Sequence, residues 1–520
     1  MSFLKTNILK NLSIINYLLI FSFLIYSTYI IIHQYDGHHI GLIYSNAIDL
    51  INGKLPYQEI FIQYGFLTTL IHSIILLVFD NKVFFLSFFN IIFYLLGVLF
   101  IGNCVNILTN KNYSLITSCI LLFNHPIPWL PWSNYLAFFF ISISLFILLK
   151  QKGFFLTGLF LSLAVLCRQD YFVPILISAI TFFIFYFFNK SKINYKLIIN
   201  SISGFVLPII FFLIYLLLQG VFEQWLKYIV FPKYYLDLYN STLLDLIFEY
   251  IFFFTSESFF NFIYSPQYFL ISILLVFNSI LLLLKIFNKI IIPNNLLFIV
   301  LFSIFLSSVS LNIELFRLYT SVIFGVIPLL YFINKVNDKK LKNNLRLLIL
   351  LPSIFSFIFY PFGNNEQFKR LIFNDQKTVI NTNQFNLFKW PDIKVNTINF
   401  ISSFNQSCDV KYLDNLTFDS LLSTVNSYER IRLMPYQKSS AKNSEFHSFV
   451  DKIKNPELNF IELINKEIQK ENIILLINEN NDIYSNNKIK FTSSYKKIEI
   501  NQSDIVGKPK ILRVYVPNKC

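Results

Sequence analysis

The sequence predicts an α-helical membrane protein that crosses the bilayer about eleven times and ends in an extracytoplasmic α/β domain. Of its 520 residues, 55% are hydrophobic and only 14% are charged, and the mean hydropathy is +0.57. Soluble domains are about one quarter charged, and a single hydrophobic core stops growing well below this length. So much apolar sequence with so few charges requires lipid as its solvent.

Long apolar segments recur through the first two thirds of the chain, and each is a candidate span. They cover approximately residues 14–32, 83–102, 113–128, 132–149, 153–167, 171–188, 197–218, 266–284, 292–310, 317–334 and 346–360. The first lacks a small-residue cleavage site, so we expect it to be retained as a span. The apolar segment 66–79 is short and is predicted to lie at the membrane interface.

The basic residues predict the orientation. With the N-terminus in the cytoplasm, fifteen Lys and Arg residues before residue 363 face inward and six face outward, as the positive-inside rule expects. This leaves a first outer loop over 33–82 and a second long outer segment over 219–265. The net charge of +14 follows membrane topology and forms no basic stripe with aromatics, so membrane lipid is a predicted partner and nucleic acid is not.

The composition changes near residue 363, which divides the chain into a transmembrane domain (1–362) and a C-terminal domain (363–520). In the second part, Asn, Lys, Ser and Glu become frequent and apolar runs shorten. The runs at 473–477 and 511–516 are predicted to be strands of a small α/β domain. Under the predicted orientation this domain is extracytoplasmic.

The first outer loop has a distinctive pattern. Asp36 follows the first span directly, and a stretch with apolar residues at helical spacing predicts an amphipathic helix on the membrane. Gly53 is placed to end that helix, and Pro56 prevents its continuation. A Tyr-Gly pair at 64–65 then leads into the interfacial segment. The helical repeat consists of Ile40, Ile43, Tyr44, Ala47, Ile48 and Ile51.

This pattern, with its Gly-x-x-Pro-Tyr turn over 53–57, resembles the GT-C superfamily of membrane glycosyltransferases. Members include protein mannosyltransferases and the aminoarabinose transferase that acts on lipid A. The resemblance is clearest over residues 10–190, and the tail corresponds only in position. It implies a GT-C-like fold in the cell (inner) membrane. It also implies inverting transfer of a sugar from a polyprenyl-phosphate carrier to a lipid, glycan or protein acceptor at the outer face.

Asp36 matches the acidic position of the family's first loop, which implies that it is the general base that deprotonates the acceptor hydroxyl. The alternative is an ordinary aspartate that caps the following helix. His38 and His39 are candidates for acceptor contacts. Together with His33 and Asp36 they could also ligate a divalent metal, or could simply be polar loop residues. Tyr57 of the turn is a further substrate-binding candidate.

The family often carries a second acidic residue in the outer loop between its third and fourth spans. Here residues 124–134 contain no carboxylate. His125 and Asn134 are the candidate replacements, and this departure weakens any prediction of a metal site.

Two pairs of oppositely charged residues are predicted to face outward, and the arginine of each pair is a candidate for binding the carrier phosphate. Arg168 interrupts an apolar stretch, where an ionisable residue is costly and often functional, and its fork geometry suits a phosphate. The alternative is that Arg168 forms an ion pair with Asp170 at the interface. Arg317, beside Glu314, is the second phosphate candidate.

Other functions are compatible with this sequence. A transporter would require broken helices and polar residues near the bilayer midplane, and often repeated halves. A polysaccharide polymerase or ligase of the cell envelope would place key Arg and His residues late in the chain, whereas here the His-rich loop comes early. A non-catalytic assembly or sensor protein would tolerate loss of Asp36. The sugar, the acceptor, the oligomeric state and pairing of Cys408 with Cys520 are left open by the sequence.

Overall fold

The computed structural model describes most of the first 359 residues and short parts of the tail. The described residues before 360 are 14–33, 39–58, 60, 62, 65–126, 129–151, 153–188, 195–229, 266–310 and 315–359. In the tail they are 377–379, 387–391, 409–415, 430–434, 447–448, 465, 468–469, 473–478, 491, 493–503 and 509–518. Most of the second long outer segment therefore lies outside the described residues, as do Glu314, Cys408 and Cys520.

Helices dominate the first part of the chain. They are α1 (Ile14–His33), α2 (His39–Ile51), α3 (Phe66–Val78), α4 (Phe84–Leu108), α5 (Lys111–Phe123), α6 (Ser133–Leu149), α7 (Phe154–Cys167), α8 (Phe172–Phe188), α9 (Tyr195–Leu218), α10 (Phe222–Ile229), α11 (Pro266–Ile286), α12 (Asn294–Leu306), α13 (Leu315–Val322), α14 (Val326–Lys335) and α15 (Lys339–Phe359). Short 3-10 turns follow α7, α12 and α13 at Gln169–Tyr171, Ser307–Ser310 and Ile323–Gly325.

Within the described ranges, six helical segments are long and apolar enough to cross a membrane. These are Ile14–His33, Phe84–Leu108, Ile198–Leu218, Pro266–Ile286, Leu315–Lys335 and Lys339–Ile358. Apolar side chains cover their outer surfaces; on α9, for example, Phe211 is 63% exposed and Leu218 is 80% exposed. In water such a surface would be costly, so the prediction of a membrane-embedded helical protein is supported.

The other five predicted spans are also helical but shorter. The helices α5, α6, α7, α8 and α12 contain 13 to 17 residues each, less than the roughly 20 that cross a bilayer without distortion. Helix α5 ends at Phe123, because its C-terminal cap Asn124 leaves the helical conformation and Pro126 follows two residues later. The count of eleven spans and their orientation remain predictions.

The first outer loop contains the two short helices that its sequence predicts, α2 and α3, each of 13 residues. Helix α2 ends at Ile51, and Gly53 follows with φ +80, a conformation that glycine adopts without strain. Helix α2 was predicted to lie on the membrane surface, but it is more deeply buried than such a helix would be. Its polar residues Asn46 and Asp49 are only 6% and 7% exposed, because α3 and neighbouring segments cover them.

Helices α7 and α9 approach each other at two glycines. A Cβ atom at Gly158 would lie 1.9 Å from the Ser201 carbonyl oxygen, and one at Gly204 would lie 1.9 Å from the Phe155 carbonyl oxygen. Such contact between backbones is how small residues pack membrane helices. It fixes α7, whose C-terminal end carries part of the candidate site, against α9.

The tail contains a mixed sheet. The strands are β1 (Lys377–Val379), β2 (Lys389–Pro391), β3 (Asp409–Asn415), β4 (Arg430–Met434), β5 (His447–Ser448), β6 (Ile473–Asn478), β7 (Tyr495–Ser503) and β8 (Pro509–Pro517). β1 pairs with β2, and the other six form a sheet in the order β5-β4-β3-β6-β8-β7. The predicted strands at 473–477 and 511–516 are confirmed as neighbours, with Leu475 opposite Tyr515 in antiparallel register.

The middle of this sheet is parallel, since β3 pairs in parallel with both β4 and β6. Parallel neighbours need crossover connections, which suits an α/β domain. Phe388, 1% exposed just before β2, packs against Phe84 at the start of α4 with ring centroids 6.2 Å apart. The tail therefore contacts the end of α4 at which the first outer loop finishes.

Candidate functional site

The predicted general base lies in the link between α1 and α2. Asp36 and His38 fall outside the described residues, and His39 is the first residue of α2, with a side chain that is also outside them. His33 ends α1 and is 7% exposed, and its Nδ1 lies 2.8 Å from the Tyr29 carbonyl oxygen. Because a carbonyl only accepts, Nδ1 donates this bond. The catalytic and metal roles of Asp36, His38 and His39 stay predictions.

The first outer loop docks on the C-terminal end of α7 through Gly65. A Cβ atom there would lie 2.3 Å from the Leu166 carbonyl oxygen and 2.5 Å from that of Cys167, so only glycine fits without displacing backbone. Three residues on, the Thr68 hydroxyl donates to the Cys167 carbonyl oxygen at 3.1 Å. This bond satisfies one of the carbonyls that a helix leaves unpaired at its end. The glycine of the Tyr-Gly pair is thus explained by close packing.

Tyr57 forms a second link between the loop and the end of α7. It has φ 64 and is 1% exposed, and its hydroxyl accepts a hydrogen bond of 2.9 Å from Gln169 Nε2. Burial raises the pKa of the phenol, so the hydroxyl stays protonated. Its ring packs in a small core with Phe212 of α9. These contacts support a structural role for Tyr57, and a substrate contact stays a prediction.

Arg168, Asp170, Asn134 and Thr320 form a connected hydrogen-bond network, here named the Arg168 network. The Arg168 Nε donates to both carboxylate oxygens of Asp170, at 2.9 and 3.0 Å, and one terminal nitrogen donates to Oδ2 at 2.8 Å. The other terminal nitrogen donates to Asn134 Oδ1. Asn134 Nδ2 in turn donates to the Thr320 hydroxyl at 3.1 Å. The network ties α6, the turn after α7 and α13 together.

Burial within this pair is unequal. Arg168 is 0% exposed, whereas the Asp170 side chain is 42% exposed. Of the two interpretations left open by the sequence, the ion pair between them is therefore present. All three guanidinium nitrogens of Arg168 already donate to Asp170 or Asn134, so phosphate binding by Arg168 stays a prediction, and the accessible charged atoms of the pair belong to Asp170.

His125 lies in an aromatic cluster beside the same network. Its ring stacks on Trp129 with centroids 3.9 Å apart, and a 3.0 Å hydrogen bond joins its Nε2 to the Tyr135 hydroxyl. The residue is 3% exposed, and burial lowers the pKa of the imidazole well below its usual value. His125 is therefore neutral at physiological pH. Its proposed replacement of an acidic residue is untested.

Arg317 belongs to the first turn of α13, close to the Arg168 network. Its side chain is half-buried, and its carbonyl oxygen accepts hydrogen bonds from the Ser321 and Thr320 hydroxyls at 2.6 and 3.2 Å. The backbone of Arg317 therefore supports the network, while its predicted phosphate contact stays open.

A pocket that the sequence analysis missed lies between α2, α3 and the start of α6; we name it the His72 pocket. It has a volume of about 40 Å³ and is lined by Leu42, Ile43, Asn46, Ile62, Gly65, Thr68, Thr69, His72, Pro131, Trp132 and Ser133. On α3, Thr68, Thr69 and His72 fall on one helical face, a polar stripe in an otherwise apolar helix. That stripe is the sequence signal that could have revealed the pocket.

Four separate segments meet at this end of the helical bundle. They are the first outer loop, residues 124–134, the turn 168–171 and the start of α13, and all four are predicted to be outside. Among the described residues, no group of three His, Cys, Asp or Glu side chains is placed to hold a metal ion. Compared with models of protein families and with curated proteins, the sequence matches neither a family nor a relative.

Proposed function

We propose that this protein is a GT-C-type glycosyltransferase that moves a sugar from a polyprenyl-phosphate carrier to an acceptor at the outer face of the cell membrane. The observation that carries the proposal is the docking of the first outer loop. Gly65 and Thr68 dock this loop on the C-terminal end of α7, and Tyr57 joins it to Gln169 in the turn that follows. Asp36 belongs to the same loop in the sequence. An enzyme acting at one interface needs such a convergence of outer segments.

The proposed chemistry uses a carboxylate as base. Asp36 accepts the proton of the acceptor hydroxyl while that oxygen attacks the anomeric carbon, and the carrier phosphate leaves with the electrons of the broken bond. Inversion at the anomeric carbon follows from a single displacement. Asp170 is a partly exposed carboxylate held in place by Arg168, so it is available to hydrogen-bond substrate hydroxyls. Acceptor contacts from His38 and His39 belong to the same proposal.

The test compares Asp36→Asn with the wild type in sugar transfer by the purified protein. The donors are a panel of radiolabelled polyprenyl-phosphate sugars, and a membrane extract supplies the acceptor. Loss of a general base typically lowers the rate about 10²–10⁴-fold, so we expect at least a 100-fold loss.

The matched control is Asp80→Asn, in the same outer loop. Asp80 is exposed and has φ 51, which asparagine tolerates as well as aspartate does. We expect this variant to keep wild-type transfer. Equal transfer by the wild type and Asp36→Asn would refute the assigned base. Failure of the wild type with every donor, while correctly folded, would favour the transporter or sensor alternatives.

A further inference from the structure

The His72 pocket contains buried polar atoms without hydrogen-bond partners. His72 is 0% exposed, and neither of its ring nitrogens has a partner among the residues that the structure describes. Ser133, across the pocket, is 2% exposed, and its hydroxyl also finds no partner within that part of the chain. Most buried polar groups in proteins are paired, because leaving one unpaired forfeits the hydrogen bond that it makes with water. Several such atoms around one pocket point to a further group, either ordered water or a ligand, that completes their hydrogen bonds.

The pocket selects an uncharged group. Of the described residues that line it, none carries a formal charge other than the titratable His72, and Leu42, Ile43 and Pro131 form apolar walls. A phosphate or carboxylate would be desolvated there without a cation to compensate. Burial lowers the pKa of His72 to about 4, so the imidazole is neutral and presents one donor and one acceptor. The neighbouring Asn90 acts in the opposite direction and raises the pKa of His72, although the two side chains lie outside hydrogen-bond geometry and both Asn90 amide atoms also lack a partner among the described residues.

The size of the pocket limits what can enter. A volume of about 40 Å³ accommodates about three water-sized groups, since one water needs roughly 10–15 Å³. That is too small for a whole sugar ring but sufficient for one edge of it with its hydroxyls. A hydroxyl both donates and accepts, which suits a neutral imidazole and a serine hydroxyl. Trp132 beside them offers an apolar surface to the C–H groups of a ring.

We propose that the His72 pocket is a binding subsite for the hydroxyl-bearing edge of a neutral sugar, with His72 and Ser133 as its hydrogen-bonding residues. The proposal rests on the proposed glycosyltransferase function and names a substrate contact within it. Gly65, which docks the loop on α7, also lines this pocket, so the subsite lies directly beside the docked loop.

The test measures binding of simple methyl glycosides to the full-length protein by saturation-transfer NMR. The detergent must have no sugar head group, since such a head group would compete. The probes are neutral methyl glucoside, galactoside, mannoside and xyloside, with methyl glucuronide as the charged comparison. We expect at least one neutral glycoside to bind with a dissociation constant in roughly the millimolar range, and the glucuronide to bind more weakly.

The variant is His72→Phe, which keeps a ring of similar size and removes both nitrogens. Losing one or two hydrogen bonds weakens binding by about tenfold. Its matched control is Tyr113→Phe, because the Tyr113 hydroxyl on α5 is also buried and unpartnered but lies outside the pocket. We expect Tyr113→Phe to bind like the wild type. Both variants should melt at or above the wild-type temperature, which would show that lost binding is not unfolding.

The outcomes separate this proposal from the proposed function. If no neutral glycoside binds the wild type, or His72→Phe binds equally well, the pocket holds ordered water only and the subsite is refuted, even where sugar transfer is observed. If neutral glycosides bind, and lose affinity in His72→Phe but not in Tyr113→Phe, the subsite is supported, even where no transfer is found.

Discussion

Ser133 and Asn134 are neighbours in sequence, yet their side chains enter two clusters of opposite character. Asn134 belongs to the Arg168 network, in which it accepts from Arg168 and donates to Thr320. Ser133 lines the His72 pocket, and its buried hydroxyl has no partner in the described part of the chain. A paired network stabilises a fold, whereas unpaired atoms around a pocket cost stability until something binds. The Arg168 network is therefore part of the scaffold of the candidate site, whereas the His72 pocket is where we propose that a ligand binds.

The largest expected effect concerns the charge pair in the Arg168 network. Asp170→Asn leaves the fully buried Arg168 guanidinium without its counter-charge, which costs about 3–5 kcal/mol. Arg168→Met should cost less, about 1–3 kcal/mol, because the partly exposed Asp170 can turn to water. Thermal unfolding of the detergent-solubilised variants measures this difference.

The control for the charge pair is Asp338→Asn. Asp338 caps α15 through hydrogen bonds from the Lys340 and Leu341 backbone nitrogens, and asparagine caps equally well. Its melting temperature should stay close to that of the wild type. If Asp170→Asn were as mild as this control, Arg168 would not depend on Asp170 for its charge compensation.

The next effect concerns the loop that lies between the two clusters. Gly65→Ala places a Cβ against the carbonyls of Leu166 and Cys167, and such overpacking costs about 1–3 kcal/mol. Gly53→Ala has open space and meets only the cost of its positive φ, about 1 kcal/mol. We expect only Gly65→Ala to detach the loop, which would be visible as faster tryptic cleavage at Lys54. Equal cleavage in both variants would contradict the docking.

The third effect is a pH dependence that distinguishes the neutral histidines from the charged network. Burial lowers the folded-state pKa of His72 from 6.5 to about 4, so between these values the unfolded chain binds more protons. Stability therefore falls as pH decreases from about 6.5 toward 4, by about 1 kcal/mol at pH 5.5. His125 contributes in the same direction. His72→Phe should lessen the fall in melting temperature between pH 7 and 5.5, and an unchanged fall would argue against a buried neutral His72.

The smallest effects come from one hydroxyl in each cluster. Thr320→Val removes the hydrogen bond to Asn134 and should cost about 1 kcal/mol. Ser133→Ala removes a hydroxyl that has no partner, so it should be neutral or slightly stabilising without ligand. Melting temperatures of the two variants in the absence of sugar test this contrast. Equal destabilisation would show that Ser133 is paired like Thr320, and the distinction between the clusters would fail.

The sequence predicted the positions of the helices and strands better than it predicted their lengths. Every predicted apolar segment is helical, α2 ends where Gly53 predicts, and the strands at 473–477 and 511–516 are present. The lengths of the short helices were overestimated; the predicted segment 292–310, for example, contains α12 only as far as Leu306, where a serine-rich 3-10 turn begins at Ser307. Hydropathy indicates whether a segment lies in lipid or in water. It does not indicate at which residue the helical hydrogen bonds end.

The contacts of the candidate site were predictable only where they join residues that are close together in the sequence. The ion pair of Arg168 with Asp170 spans two residues, so the sequence offered it as one of two alternatives. The bond from Arg168 to Asn134 spans 34 residues and depends on how α6 and α7 pack. His72 was placed on the outer side but not recognised as part of a pocket, because Ser133 and Trp132 reach it from a distant segment.

The docking of the first outer loop also sets an order of assembly. Thr68 and the Cys167 carbonyl that it binds are 99 residues apart in the chain. At synthesis rates of about 5–20 residues per second, α3 leaves the ribosome roughly 5–20 s before its partner does. During that interval Thr68 lacks this carbonyl partner. Because the candidate site also includes the start of α13, it is completed only after that helix has been made, and a chain truncated before the end of α7 lacks the backbone on which Gly65 and Thr68 dock.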